Sequence, residues 1–313
     1  MSCVMMFPGQ GSQRQGMLSE AYDHFSCVKE TFIEASDVLS YDLWQVIATD
    51  ADRLNQSEVT QPAIVASSVA LWRAWQQCTD LVPDTMLGHS LGEYSALVCS
   101  GSMPFDQALK LVQRRGQLMQ KCSDKSSGLM VAVLGLSREE VRALCLSCAD
   151  GQVLVLANIN SPAQMVVSGE KAACERLMSQ AQAAGARRVL SLPVSVAAHS
   201  PLMSPMQHEF KGALDATDIV MPLVPVCQNA TLQAPKDVAS LKQALLDQLN
   251  GPVDWVKMVG QCHEDGAMMF VECGPERVLS QLNKRINSSL SNFQMATPND
   301  LHKAYEVIVE KQH

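Results

Sequence analysis

The stretch that most constrains this chain is the pentapeptide Gly88-His89-Ser90-Leu91-Gly92, with a short apolar run ahead of it and the helix-competent run Glu93-Tyr-Ser-Ala-Leu97 behind. A G-x-S-x-G sequence between a strand and a helix puts its serine at the tip of a sharp, strained turn. The flanking glycines let strand and helix pack closely beneath it. The Ser90 hydroxyl is then exposed, and the next backbone N–H, that of Leu91, points where an oxyanion would form. The alternative is a glycine-rich turn with an incidental serine; the pentapeptide alone is common, and it is the strand-turn-helix context that favours a nucleophile.

At 313 residues, with 47% hydrophobic and 18% charged residues, the chain can bury a large core, and its length suits one large domain or a large domain with a smaller insert. No uninterrupted apolar run is long enough to span a bilayer, and Met1–Phe7 reads as a first strand rather than a signal peptide, so the expected location is the cytoplasm with no membrane partner. A net charge of −8 disfavours nucleic acid. The 11 cysteines are scattered and read as small buried hydrophobes. Cys145-Leu-Ser-Cys148 has C-x-x-C spacing but no second pair or histidine cluster, so no metal is expected.

In chain order, Cys3–Phe7 is a buried strand that breaks at Pro8-Gly9-Gln10-Gly11-Ser12-Gln13, where two glycines let the backbone approach a ligand and hold the Gln10 amide in a fixed direction. Arg14 occupies the third glycine position of a dinucleotide fingerprint, which excludes that reading; a plain turn is the alternative. Helical patterns follow over 20–40 and from Gln61-Pro62 to Trp75, with the proline suiting a first turn.

The helix Pro104–Cys122 carries two arginines that its period separates. Arg115 shares a face with Ala108, Leu111, Val112, Leu118, Met119 and Cys122, whereas Arg114 neighbours Gln107, Lys110 and Gln117. A guanidinium on an apolar face needs an anionic partner. A structural carboxylate is the favoured partner on this argument alone, and a substrate carboxylate is the sharper one.

From Gly128 the texture changes. Gly128–Leu134 is a strand, Ser137-Arg-Glu-Glu140 a capping box opening a helix to about Cys148, Gln152–Ala157 and Gln164–Ser168 two strands, Lys171–Ala184 a helix stopped by Gly185, and Arg188–Pro193 a last strand. This β-α-β-β-α-β order is ferredoxin-like and is expected to form an inserted subdomain, 125–195, in an α/β catalytic domain built from 1–124 and 196–313. His199 follows in Val194-Ser-Val-Ala-Ala-His199, where small neighbours leave room around the ring for a general base; a hydrogen-bonded loop histidine is the alternative. Further strands at Pro225–Asn229 and Ala267–Glu272, and a helix Arg277–Ile286, imply a mainly parallel sheet covered on both faces. Beyond about 287 the sequence is uninformative.

Taken together, Phe7–Gln13, Gly88–Ser95, Arg115-Gly116, Val194–His199 and Glu272-Cys-Gly-Pro275, in order and at suitable spacing from residue 3 to about 286, closely resemble bacterial malonyl-CoA:acyl carrier protein transacylases. The resemblance implies an α/β-hydrolase-like large domain with a ferredoxin-like insert. It implies Ser90 as nucleophile, His199 as base, Gln10 and the Leu91 amide as oxyanion hole, and Arg115 as the site of the malonyl carboxylate. Malonyl-CoA would be the substrate, with no permanently bound cofactor and a holo acyl carrier protein as partner in fatty acid synthesis; nothing demands more than a monomer. In that family the residue before the tryptophan of an N-P-V-x-W turn orients the histidine through its carbonyl; here it is Asp254, whose carbonyl is favoured for the task over its carboxylate. Asn160 is carried as a supporting residue near the site. A serine hydrolase or thioesterase is the competing enzyme class, a polyketide or malonate decarboxylase acyltransferase a closer alternative, and a non-catalytic carrier-binding module a third.

Overall fold

The computed structural model describes residues 2–192 and 196–312. Pro193, and Val194 and Ser195 of the block leading to His199, lie outside the described residues, as does the proposed boundary at 195. Among the described residues ten strands form two five-stranded sheets. The first has the order β10-β9-β1-β2-β7, with β1 at Ser2–Phe7, β2 at Thr85–Gly88, β7 at Val226–Cys227, β9 at Ala267–Glu272 and β10 at Ser291–Gln294. All its pairings are parallel. Strands this apolar are buried on both faces: Val4, Met6 and Phe270 pack to one side with the helices Trp255–Glu264 and Val278–Ile286, while Met5, Phe7 and Val271 join the larger core on the other.

The second sheet runs β6-β3-β5-β4-β8, with β3 at Gly128–Leu134, β4 at Leu154–Ser161, β5 at Gln164–Glu170, β6 at Arg188–Ser191 and β8 at Val253–Asp254. The first three pairings are antiparallel, and β8, arriving from the far side of His199 in sequence, adds in parallel along Asn158 and Ile159. The helices Arg138–Cys148 and Lys171–Ala183 cover one face through Val131, Val167, Leu177 and their neighbours. On the other face lies a small apolar cluster of Met130, Ala157 and Val166. The molecule is thus a mixed α/β protein with one parallel and one mixed sheet.

Several expectations shift in detail. The helix expected to open at Gln61 spans Ser57–Cys78, with Pro62 one turn inside it, where only one intrahelical N–H bond is lost. The 20–40 pattern divides into Ser19–His24 and Ser26–Leu39, because Phe25 takes an extended conformation between them. Beyond 287 the chain adds β10 and the helix Pro298–Gln312, neither marked by a strong apolar pattern. All 11 cysteines are free, and most are buried. Among the described residues no helix is long and apolar enough to cross a membrane.

Candidate active site

Strand β2 ends at Gly88, and the helix Gly92–Cys99 starts four residues later. Between them Ser90 takes φ 53°, a left-handed conformation that an L-residue holds only where its surroundings impose it. The imposing groups are visible. A Cβ on Gly92 would lie 1.9 Å from the Phe7 carbonyl oxygen, so only glycine lets the helix start against β1. Asn229, just past β7, straddles the turn: its Oδ1 accepts from Ser90 N–H at 2.8 Å and its Nδ2 donates to the Gly88 carbonyl at 2.7 Å.

His199 also has a left-handed φ, 59°, and is buried. Its Nδ1 faces two carbonyl oxygens, Gln248 at 2.9 Å and Gly251 at 3.2 Å. Both can only accept, so Nδ1 carries the proton and Nε2 presents its lone pair to Ser90 Oγ, 2.7 Å away. The Gln248 carbonyl is at the C-cap of the helix Val238–Asp247, where backbone oxygens lack intrahelical donors and carry partial negative charge, and that of Gly251 lies in the bend beyond it. Burial, and next the positive charge of Arg115, push the His199 imidazole down to about 3. It is therefore a neutral base throughout the physiological range.

Asp254 does not orient His199 through either its carbonyl or its carboxylate, contrary to expectation. Its backbone is held in β8 beside Ile159, and its carboxylate accepts from Lys257 N–H at 3.2 Å and from Arg138 Nη1 at 2.7 Å. The residue caps the helix Trp255–Glu264 and ties it to the second sheet. Asp254→Asn should leave the pH–rate profile in place and cost at most about 1 kcal/mol, since Arg138 is over a third exposed; a displaced acid limb would restore the triad.

Arg115 is 1% exposed, on the apolar face that its period indicated, while Arg114 pairs with Glu209 at the surface. No carboxylate meets the Arg115 guanidinium among the described residues, contrary to the structural partner favoured from sequence. Its Nη1 donates to Gln61 Oε1 at 3.0 Å and its Nη2 to Gln248 Oε1 at 3.2 Å; Nη2 also lies 3.5 Å from Ser90 Oγ. Its carbon centre sits 5.5 Å over the Tyr94 ring. Behind Gln248 lies Glu93, fully buried, whose carboxyl is raised to about 7, chiefly by desolvation.

The loop after β1 completes the turn's surroundings. A Cβ on Gly9 would come 2.6 Å from the His89 carbonyl oxygen, so this backbone passes directly against the pentapeptide. The Gln10 side chain points back to the helix Ser57–Cys78, donating weakly to Ser57 Oγ at 3.4 Å and accepting from Gln61 Nε2 at 3.3 Å. Any contribution it makes beside Ser90 therefore comes from its main-chain N–H. Neither that N–H nor that of Leu91 has an acceptor among the described residues. Asn160 Oδ1 lies 2.9 Å from His89 Nε2, so it braces the residue before the serine.

A cleft of about 200 Å³ opens over Ser90 between the C-terminal ends of β1 and β2 and the inner face of the second sheet. Met130, Val166 and Leu192 form one wall, Val278, Leu279 and Leu282 another, with Asn158 and Asn160 between. The helix Val278–Ile286 is anchored by Glu272, whose carboxylate accepts from the N–H groups of Val278, Leu279 and Ser280. This gives the Glu272-Cys-Gly-Pro275 block a structural task. Sequence reasoning missed Gln61, Glu93, Asn229 and Gln248; only Glu93, next to the pentapeptide on an otherwise apolar helix, offered a signal.

A serine activated by a neutral histidine, beside unoccupied backbone donors and a buried cation, is a site for acyl transfer through an acyl-serine. The chain matches the acyl transferase domain family over residues 4–300 and belongs to it. It is 42% identical over 300 residues, 95% of each chain, to the malonyl CoA-acyl carrier protein transacylase of Haemophilus influenzae. The crystal structure of an acyl carrier protein S-malonyltransferase from Vibrio cholerae superposes with a TM-score of 0.94 at 43% identity, covering 97% of this chain and 99% of that one. A malonyl-transacylase solved in complex with a type II polyketide acyl carrier protein gives a TM-score of 0.96 at 42% identity over 98% and 100%.

Proposed function

We propose that this protein transfers the malonyl group from malonyl-CoA to the phosphopantetheine thiol of a holo acyl carrier protein through a malonyl-serine at Ser90, supplying fatty acid synthesis. The observation that carries the reading is Arg115, a buried cation 3.5 Å from the nucleophile, whose guanidinium donates to two neutral amides and lies over the Tyr94 ring, with no carboxylate hydrogen-bonded to it among the described residues. A malonyl thioester has a free carboxylate where acetyl-CoA has a methyl hydrogen, and a guanidinium recognises it with two parallel N–H bonds. Ser90 Oγ attacks the thioester carbonyl as His199 Nε2 takes its proton, and the backbone N–H groups of Gln10 and Leu91 receive the oxyanion. The tetrahedral adduct collapses, expelling the coenzyme A thiol with the proton from His199. The carrier's thiol then repeats the sequence in reverse, so the kinetics are ping-pong.

The architecture behind this reading is an α/β-hydrolase-like domain, 1–124 and 196–313, carrying a ferredoxin-like insert, 125–195. The spatial order β6-β3-β5-β4 supports the insert, since it interleaves the two β-α-β halves. Asn160 acts through His89, and the protein acts as a soluble monomer.

Intact-protein mass spectrometry after brief exposure to malonyl-CoA or acetyl-CoA tests the proposal. A malonyl adduct is expected that requires Ser90, forms poorly with acetyl-CoA and disappears when holo carrier protein is added. An adduct lost to water without a carrier would assign the site to a hydrolase, and an adduct surviving in Ser90→Ala would remove the nucleophile.

A further inference from the structure

A buried guanidinium is most simply compensated by a carboxylate, yet the groups that grip Arg115 are the amide oxygens of Gln61 and Gln248. An amide oxygen fixes the plane of the guanidinium without cancelling its charge. The Gln248 amide cannot turn over, because two of its three partners have a single hydrogen-bonding character. Arg115 only donates, whereas the Ser90 carbonyl, 3.0 Å from Gln248 Nε2, and the Glu93 carboxylate, 2.8 Å from it, accept. Glu93 Oε2 is held as an acceptor in its turn by the N–H of Asn229 at 2.9 Å. The oxygen of Gln248 must therefore face Arg115.

We infer that the Gln248 side chain, oriented by Glu93, is a specificity-determining group: a neutral acceptor that aims Arg115 at the nucleophile while leaving its charge to an acyl carboxylate. The inference rests on the reading that Arg115 receives that carboxylate. It is separate from the contact between the Gln248 main-chain carbonyl and His199, which a side-chain substitution leaves in the chain. Gln248→Glu exchanges one NH2 for oxygen and creates the carboxylate that the site avoids. Two carboxyls then face each other across the Glu93 contact and share a proton, which stays on Glu93 because Arg115 holds the new charge. The guanidinium is thereby neutralised before substrate arrives.

The test is single-turnover loading of Ser90 by malonyl-CoA and by acetyl-CoA, followed by intact mass, on the wild type, Gln248→Glu, Gln248→Met and Arg115→Met. The readout is the ratio of the two second-order rate constants, which a general loss of the Ser90–His199 pair leaves unchanged. In Gln248→Glu the malonyl-to-acetyl ratio should fall on the order of 100-fold, as expected for a desolvated charge contact that is already occupied. In Gln248→Met, with one grip on Arg115 lost but no charge added, it should fall about tenfold, mainly through KM for malonyl-CoA. A proportional loss of both rates in Gln248→Glu, or an unchanged ratio in Gln248→Met should the glutamate variant fail to fold, overturns the inference. A wild type that loads acetyl as readily as malonyl, with Arg115→Met alike, overturns the reading of Arg115 itself.

Discussion

His199→Ala should slow malonyl loading of Ser90 by roughly a thousand- to ten-thousand-fold, the contribution of a positioned general base together with the alignment it gives the nucleophile. The geometry leaves no substitute within hydrogen-bond reach: Nε2 is 2.7 Å from Oγ, and the charged group that also reaches Oγ, Arg115, cannot accept a proton. The imidazolium formed as the proton moves is met at Nδ1 by the carbonyl of Gln248, at the negative end of a helix, and by that of Gly251 just past it. Stopped-flow or quenched mass spectrometry of the first turnover checks this. A variant that keeps more than about a tenth of the wild-type rate would mean that His199 only packs against the serine.

Much of this site could be read in the chain because its parts carry side-chain signatures. Ser90 stands in a pentapeptide whose glycines have steric reasons to be there, and Arg115 was separated from Arg114 by helical period alone. The capping box at Ser137 and Glu140 forms as its spacing predicts. What was illegible depends on groups that every residue possesses or on contacts that only tertiary structure creates. The partners of His199 are main-chain carbonyls, which have no sequence signature, and the aspartate before Trp255 drew the assignment instead. That aspartate is turned away because β8 joins the second sheet, a pairing between segments almost 100 residues apart. The expected carboxylate for Arg115 failed for a related reason: an apolar face shows that a charge is buried but not whether its partner is charged. Gln61 and Gln248 are ordinary helix and helix-end residues until the fold brings them together.

Removing the charge of Arg115 tests the site's electrostatics at two points. Arg115→Met keeps much of the side chain's bulk while deleting every donor, and it should lower kcat/KM for malonyl-CoA by about 2–5 kcal/mol while acetyl-CoA becomes the better relative substrate. The pH dependence supplies the second point. His199 is active when neutral, and its pKa is depressed, first by burial and then by Arg115. The wild-type loading rate should therefore stay level as pH falls through the ordinary imidazole range and decline only in more acid solution. Deleting the guanidinium removes one of the two leading causes of the depression, so the acid limb of kcat/KM for acetyl-CoA must move to higher pH in the variant. A bound malonyl carboxylate opposes the same charge, so within the wild type the acid limb of kcat should lie at higher pH than that of kcat/KM for malonyl-CoA. Limbs that coincide in all these comparisons would show that the Arg115 charge is not felt at His199. Selectivity retained in Arg115→Met would place the carboxylate elsewhere in the cleft.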